Sequence, residues 1–125
     1  MKEFKLYKCL KCGNIAIKAL DMGPALSCCG EEMVELKANT VDAATEKHVP
    51  VITREGNKID VVVGSVPHPM EDVHWITLIF AVQGETVQMT SLNPGDEPKA
   101  SFNIQDGPVT VYEYCNLHGL WMAEA

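Results

Sequence analysis

The chain has 125 residues, of which 46% are hydrophobic and 22% charged, a composition typical of one or two small globular domains. Its net charge of −7 is uneven, because residues 1–37 carry six lysines and five acidic residues while residues 38–125 carry four basic and twelve acidic ones. This balance argues against nucleic acid as a partner, and the longest apolar run, residues 75–82, is too short to span a membrane. The first residues show no secretory pattern, so we expect a cytoplasmic protein with reduced thiols.

The predicted secondary structure is almost entirely short strands. Stretches rich in Val, Ile, Phe and Tyr, bounded by Gly, Pro or Asn, predict strands at residues 4–7, 14–20, 33–38, 49–55, 58–64, 73–82, 86–92, 100–104 and 109–115. Residues 55–57, Glu-Gly-Asn, are typical of a hairpin turn. One short helix is predicted in residues 40–47, with Thr40 as its cap. About seven strands in the last 85 residues favour an antiparallel, immunoglobulin-like sandwich.

Four cysteines lie in the first 30 residues, as Cys9-x2-Cys12 and the adjacent pair Cys28 and Cys29. A C-x2-C loop followed by glycine turns two thiolates toward one point, and a second pair from a distant loop completes a tetrahedral site. Disulfide pairing is the alternative, and the expected reducing compartment argues against it. Residues 1–37 are too few to build a core unaided, so a metal is the expected staple.

The four sulfurs do not by themselves distinguish zinc from iron, since both metals accept tetrahedral thiolates. The second pair has no spacer, unlike ordinary zinc or rubredoxin knuckles, and we expect a distorted tetrahedron. C-x2-C followed by adjacent cysteines resembles desulforedoxin, a small iron protein, over residues 1–37. The resemblance implies iron bound by Cys9, Cys12, Cys28 and Cys29.

All four histidines and the fifth cysteine lie after residue 47, and they are His48, His68, His74, His118 and Cys115. A lone histidine is more often a surface or satisfied core residue than a ligand. These four, however, all adjoin turn or strand-end signals, where a sandwich gathers binding residues. Four imidazoles and one thiolate are one ligand too many for tetrahedral zinc, and they leave one position open on an octahedral metal, which suits redox iron.

Three segments, "EKHVPVI", "VPHPMEDVHWI" and "EYCNLHGLWMAEA", together resemble the desulfoferrodoxin family, superoxide reductases with an added desulforedoxin-like domain. The resemblance implies a desulforedoxin-like domain at 1–37 and a superoxide reductase sandwich at 38–125. It further implies a second iron with His48, His68, His74 and His118 in its plane and Cys115 as axial ligand.

The same resemblance implies the activity and the partners. A superoxide reductase transfers one electron to superoxide and makes hydrogen peroxide, detoxifying reactive oxygen with electrons from rubredoxin or a similar donor. Glu46 and Lys47 are expected on a mobile loop over the open face of the iron, Lys47 to steer superoxide and order water, Glu46 to bind the oxidised metal. A homodimer is also expected.

Three other functions are compatible with the same residues. The chain could be a non-catalytic iron electron carrier, a zinc-stapled binding module, or a superoxide dismutase, which would evolve dioxygen without a donor. Metal content, anion binding and product analysis separate these functions from reduction of superoxide.

Overall fold

The computed structural model describes residues 3–41, 43–66 and 68–125, and the chain divides into two compact units, Met1–Lys37 and Ala38–Ala125. In the first unit, strands β1 (Leu6–Lys8), β2 (Ile15–Ala16) and β5 (Val34–Leu36) form an antiparallel sheet in the order β2-β1-β5. Strands β3 (Ser27–Cys28) and β4 (Glu31–Glu32) form a separate hairpin. This unit therefore consists of very short strands joined by loops.

The β3–β4 hairpin was not predicted, because strands of two residues are too short for a hydrophobic pattern to be recognised. Its two-residue turn consists of Cys29 and Gly30, whose φ angles are 53° and 77°. Two successive positive φ angles are the signature of a type I′ turn, which suits the twist of a tight hairpin. The adjacent cysteines thus occupy different positions, Cys28 on a strand and Cys29 in the turn.

The second unit is a sandwich of two antiparallel sheets. Its elements are α1 (Thr45–His48), β6 (Pro50–Glu55), β7 (Lys58–Val63), β8 (Ile76–Gln83), β9 (Thr86–Ser91), β10 (Lys99–Asn103), β11 (Thr110–Cys115) and β12 (Gly119–Glu124). One sheet has the order β10-β7-β6, and the other has the order β12-β11-β8-β9. The predicted fold class, all-β with an antiparallel immunoglobulin-like sandwich, is confirmed.

The core of the sandwich lies between these sheets and follows from the alternation of its strands. On β7, Ile59, Val61 and Val63 are buried while the residues between them are exposed. They pack in one cluster with Phe102 of the neighbouring strand β10 and with side chains of β8 and β11 in the facing sheet, among them Ile79 and Val111. The predicted hairpin between β6 and β7 is also present, with Gly56 at φ 57°. The sandwich thus provides a rigid support for the loops at its ends.

Two sequence predictions about elements were wrong. The helical turn begins after Ala44 and has no side-chain cap, so Thr40 does not cap it. Asp42, within the stretch predicted to be helical, lies outside the described residues. Strand β12 was not predicted. Its residues come directly after Cys115 and His118, and no separate strand signal was recognised there. Among the described residues, no helix has the length and apolar character needed to cross a bilayer.

Candidate metal centres

The first candidate centre consists of the four cysteines of the first unit. The sulfur atoms of Cys9, Cys12, Cys28 and Cys29 all lie within 4.8 Å of one another. The Sγ–Sγ distances of 3.6 Å from Cys12 to Cys28 and 3.9 Å from Cys28 to Cys29 are far longer than a disulfide bond of about 2.05 Å. All four are free cysteines. The structure therefore brings together all four predicted thiols.

The loop after β1 positions the first two sulfurs. The Gly13 amide donates to the Cys9 carbonyl at 2.9 Å, and the φ of Gly13 is +84°, a left-handed conformation that glycine adopts without strain. The Cys12 amide points at the Cys9 sulfur at 3.5 Å, and the Asn14 side chain approaches the Cys28 sulfur at 3.6 Å. These donors stabilise negative charge on sulfur.

The ionisation of these thiols is unequal. Hydrogen bonding from the Cys12 backbone is the main reason why the pKa of Cys9 falls to about 6. The neighbouring thiol of Cys12, followed by Cys28, raises the pKa of Cys29 to about 12, and the pKa of Cys28 is also raised, mainly by Cys12. Four thiolates cannot accumulate in this space without a cation, and a bound metal ion reverses the effect. The donor set therefore fits a thiophilic metal.

The second candidate centre is a closed ring of four imidazoles in the sandwich. The ring centroids of His48 and His68 are 4.6 Å apart, those of His68 and His74 4.7 Å, those of His74 and His118 4.9 Å, and those of His118 and His48 4.9 Å. Each imidazole is tilted by 62° to 84° from its neighbours. Four histidines that are up to 70 residues apart in the sequence thus meet at one place.

The thiol of Cys115 belongs to the same cluster. Its sulfur and one nitrogen each of His48, His68 and His118 lie within 4.8 Å of one another, and Cys115 is fully buried. His74 joins through its contacts with His68 and His118. Together these residues form a group of four imidazoles and one thiol.

Four of the five members of the group lie at or next to the end of an element, and His68 lies in the loop between β7 and β8. His48 is the last residue of α1, His74 immediately precedes β8, and Cys115 ends β11 with His118 in the following turn. Pairing between β8 and β11 shifts register at Cys115, which faces Ile76 although its neighbour Tyr114 faces Leu78. Such a bulge redirects a side chain at the end of a strand.

Three of the four rings have a buried nitrogen that is available for a ligand. Nε2 of His68, Nε2 of His74 and Nδ1 of His118 are buried and have no hydrogen-bond partner within the described residues. The other nitrogen of His68, Nδ1, donates to the Pro69 carbonyl at 2.6 Å, which leaves the lone pair on Nε2. Buried nitrogens without partners are costly, and a metal ion would satisfy them together. The residues present therefore fit a metal.

The protonation of these histidines is also that of metal ligands. The pKa of His48 is lowered to about 4, mainly by burial and to a smaller extent by the neighbouring imidazoles. Burial also lowers the pKa of His68 to about 4. Burial likewise lowers the pKa of His74. Neutral imidazoles with free lone pairs are the form that binds metal.

Two buried residues beside His48 were not identified from the sequence. Glu113 is fully buried, and its Oε1 lies 3.6 Å from His48 Nδ1, while the Trp121 ring stacks on His48 with centroids 5.0 Å apart. Burial raises the pKa of Glu113 well above its ordinary value. The signal was available, because Glu113 lies between Val111 and Cys115 on the core-facing positions of β11.

Glu46 and Lys47 lie on α1 immediately before His48, with both residues exposed. The Lys47 ammonium contributes to the lowered pKa of His48, His68 and His74, so its charge acts on the histidine cluster. The backbone of this segment is held by the turn after β7, where the Val66 amide donates to the Glu46 carbonyl at 2.9 Å and the Ser65 hydroxyl at 3.3 Å.

A sandwich with four imidazoles and a buried thiol, in a chain whose other unit brings together four thiols, defines a class of proteins with two groups of candidate metal ligands. Residues 40–124 match the family model described as Desulfoferrodoxin. The chain belongs to the desulfoferrodoxin family, as its sequence motifs predicted.

Individual relatives cover both units. The chain is 49% identical to a desulfoferrodoxin of Nitratidesulfovibrio vulgaris over 123 residues, 98% of each chain, and 48% identical to a desulfoferrodoxin homolog of Archaeoglobus fulgidus over 120 residues, 95% of each. Among solved structures, the superoxide reductase from Treponema pallidum is similar with a TM-score of 0.78 and 32% identity, covering 97% of this chain and 98% of that one.

Proposed function

We propose that this protein is a superoxide reductase, which combines superoxide with one electron and two protons to give hydrogen peroxide. The observation that carries the proposal is the closed ring of four imidazoles with the buried Cys115 thiol. Two comparisons support it. The chain belongs to the desulfoferrodoxin family, and it is similar in structure to a superoxide reductase with which it shares 32% sequence identity. In the cell, this activity would detoxify reactive oxygen.

Two irons per chain are proposed, one for each group of donors. Cys9, Cys12, Cys28 and Cys29 would hold the first as four thiolates in a domain of residues 1–37. His48, His68, His74, His118 and Cys115 would hold the second in the sandwich of residues 38–125. When bound at the second group in its ferrous form, iron supplies the electron that reduces superoxide.

The residues of the chain would prepare the substrate and the protons. Lys47 provides a local positive charge that attracts an anion despite the net charge of −7, and its ammonium orders water that delivers protons. The Cys115 thiolate would hold the metal and donate electron density to it, as thiolate ligands do in haem proteins. Glu46, exposed beside Lys47, is the carboxylate we propose to bind the oxidised metal.

Each turnover consumes one electron, so a separate donor is required. We propose a small one-electron carrier of the rubredoxin type in the cytoplasm, and a homodimer as the working form. The first iron would not be needed for reduction of superoxide. Oxidation of candidate donors by superoxide in the presence of the protein, and sedimentation of the purified protein, test these points.

The decisive experiment combines metal analysis with anaerobic kinetics. We expect close to two iron atoms per chain, one for each donor group, and one molecule of peroxide per superoxide consumed with matching oxidation of the donor. Dioxygen evolved without a donor would identify a dismutase. If azide leaves the spectrum of the second site unchanged and the protein does not consume superoxide, the protein is an electron carrier. If the protein contains zinc and has no visible absorption, it is a binding module.

Lys47→Ala is expected to slow the reaction with superoxide about tenfold at low ionic strength and to flatten its dependence on salt, because steering by a local charge is screened by ions. Pulse-generated superoxide at several salt concentrations measures both effects. Lys58→Ala is the matched control, since it makes the same change of charge on the exposed first residue of β7. If the rate depends on salt equally in the two variants, Lys47 does not steer superoxide to the site.

Glu113→Gln is expected to speed the loss of iron from the second group to a chelator by roughly tenfold or more, because a metal ion on His48 would favour ionisation of the buried carboxyl group 3.6 Å from His48 Nδ1, and an amide cannot ionise. Carboxylates that accept from the second nitrogen of a ligand histidine strengthen metal binding. The control is Glu124→Gln, the same change on an exposed residue at the end of β12. Iron retained equally by both variants would show that Glu113 does not support His48.

A further inference from the structure

The side chain of Asn116 joins two of the segments that carry metal-binding residues. Its Oδ1 accepts from the Trp75 amide at 3.0 Å, and its Nδ2 donates to the Val73 carbonyl at 3.0 Å. The backbone amide of Asn116 also donates to the Trp75 carbonyl, at 3.3 Å. One residue therefore makes three hydrogen bonds to the short segment 73–75.

These contacts bracket His74. The Val73 carbonyl belongs to the peptide group before His74, and the Trp75 amide belongs to the peptide group after it. A primary amide is the side-chain group that donates and accepts at the same time with the spacing of a peptide. Aspartate can only accept at this position when ionised, and alanine can do neither. Both peptide groups that set the direction of His74 are thus fixed by Asn116.

The position of Asn116 in the chain gives this contact its significance. It follows Cys115 directly and precedes His118 by two residues, so it belongs to the turn that carries the thiol and the fourth imidazole. His74 and His118 are neighbours in the imidazole ring, with centroids 4.9 Å apart. The hydrogen bonds of Asn116 therefore connect the backbones of three members of the second group.

We propose that Asn116 is a positioning residue, which holds His74 in place relative to Cys115 and His118 so that the group binds its metal as a complete set. The proposal rests on the proposed function for the identity of the metal. It does not depend on the reaction with superoxide, because the role of Asn116 concerns retention of iron and the environment of the ion.

The structure contains a counterpart of this contact that does not involve the segments next to His74 or Cys115. Asn39 makes the same pair of side-chain bonds to one residue of β12, since its Oδ1 accepts from the Met122 amide at 2.9 Å and its Nδ2 donates to the Met122 carbonyl at 3.3 Å. Asn39 has a φ of 60°, which aspartate tolerates better than alanine. Asn39→Asp therefore removes half of an equivalent bridge while leaving the hydrogen bonds of Asn116 intact.

The test compares Asn116→Ala, Asn116→Asp and Asn39→Asp in the iron-loaded full chain. Three quantities are measured: the rate of iron loss to a chelator, the thiolate-to-iron absorption and paramagnetic resonance of the second centre, and unfolding by urea. We expect Asn116→Ala to lose iron from the second centre about tenfold faster, within the range known for residues that orient ligands. Its spectrum should shift, while the four-cysteine centre stays unchanged.

Asn116→Asp should fall between the wild type and Asn116→Ala, since it keeps the acceptor for Trp75 and loses the donor to Val73. Asn39→Asp should lower stability without altering iron loss or either spectrum. The proposal is overturned if the Asn116 variants lose iron no faster than Asn39→Asp, or if their spectra match the wild type. Wild-type protein that holds iron at the second group but fails to reduce superoxide would refute the function and leave this comparison valid.

Discussion

Cys115→Ser is expected to abolish the thiolate-to-iron absorption of the second centre and to lower the rate of superoxide reduction by roughly 100-fold or more. Even residues that only orient ligands contribute 10- to 100-fold to activity, and Cys115 is proposed to be a ligand itself. Serine has nearly the same size, so the fully buried site should remain packed. Absorption spectra and pulse-generated superoxide measure the two effects.

The matched control is Cys12→Ser, which changes an exposed thiol of the first group. It should weaken the absorption of the four-cysteine centre and leave the reaction with superoxide intact, because the first iron is proposed to be dispensable. Retention of both the absorption and the activity in Cys115→Ser would refute the assignment of Cys115. Loss of activity in Cys12→Ser would instead show that the two centres cooperate.

Gly64→Ala is expected to displace the segment that carries Glu46 and Lys47 and to lower the free energy of unfolding by roughly 2–4 kcal/mol. A methyl group at Gly64 would overlap the Glu46 carbonyl oxygen and lie 2.7 Å from the Lys47 Cα, too close for either backbone atom to stay in place. The φ of +69° adds strain for any residue with a side chain. Urea unfolding and superoxide kinetics measure the consequences.

Gly84→Ala separates the clash from the backbone strain. Gly84 has a similar φ of +58°, but no atom of the described residues lies within 4 Å of a methyl group placed there. This control should cost only about 1 kcal/mol, the ordinary penalty of a left-handed conformation. If Gly64→Ala behaves like Gly84→Ala, and its dependence on ionic strength is unaltered, the turn after β7 does not position Lys47.

The strands of the sandwich could be predicted because alternation of apolar and polar residues is a local property. Strand β7 shows this well, since Ile59, Val61 and Val63 alternate with exposed residues in both sequence and structure. The prediction that Thr40 caps the helix was wrong because the position of α1 is not a local property of the sequence. The position of α1 is set by His48 packing at its end and by hydrogen bonds from Val66 to Glu46, which are contacts of the tertiary structure.

The candidate metal ligands could be listed from the sequence, but their meeting point could not be derived from spacing. His48 and His118 stand at opposite ends of the sandwich sequence, and only the family motifs placed them together before the structure was known. The supporting residues were not anticipated. Glu113 is recognisable as a charged residue at a core-facing strand position, whereas the contacts of Asn116 depend on how the turn after β11 meets the start of β8.

The closed ring of imidazoles has a consequence for folding as well as for reactivity. A metal ion bound there would join the chain before β6 to the turn between β11 and β12, so it would act as a cross-link around nearly the whole sandwich. In the unfolded chain these donors are far apart, and the binding free energy is therefore added to the stability of the fold. If the metal is iron, as proposed, a cell short of iron would hold this protein in a form that unfolds, and is degraded, more readily than the loaded one.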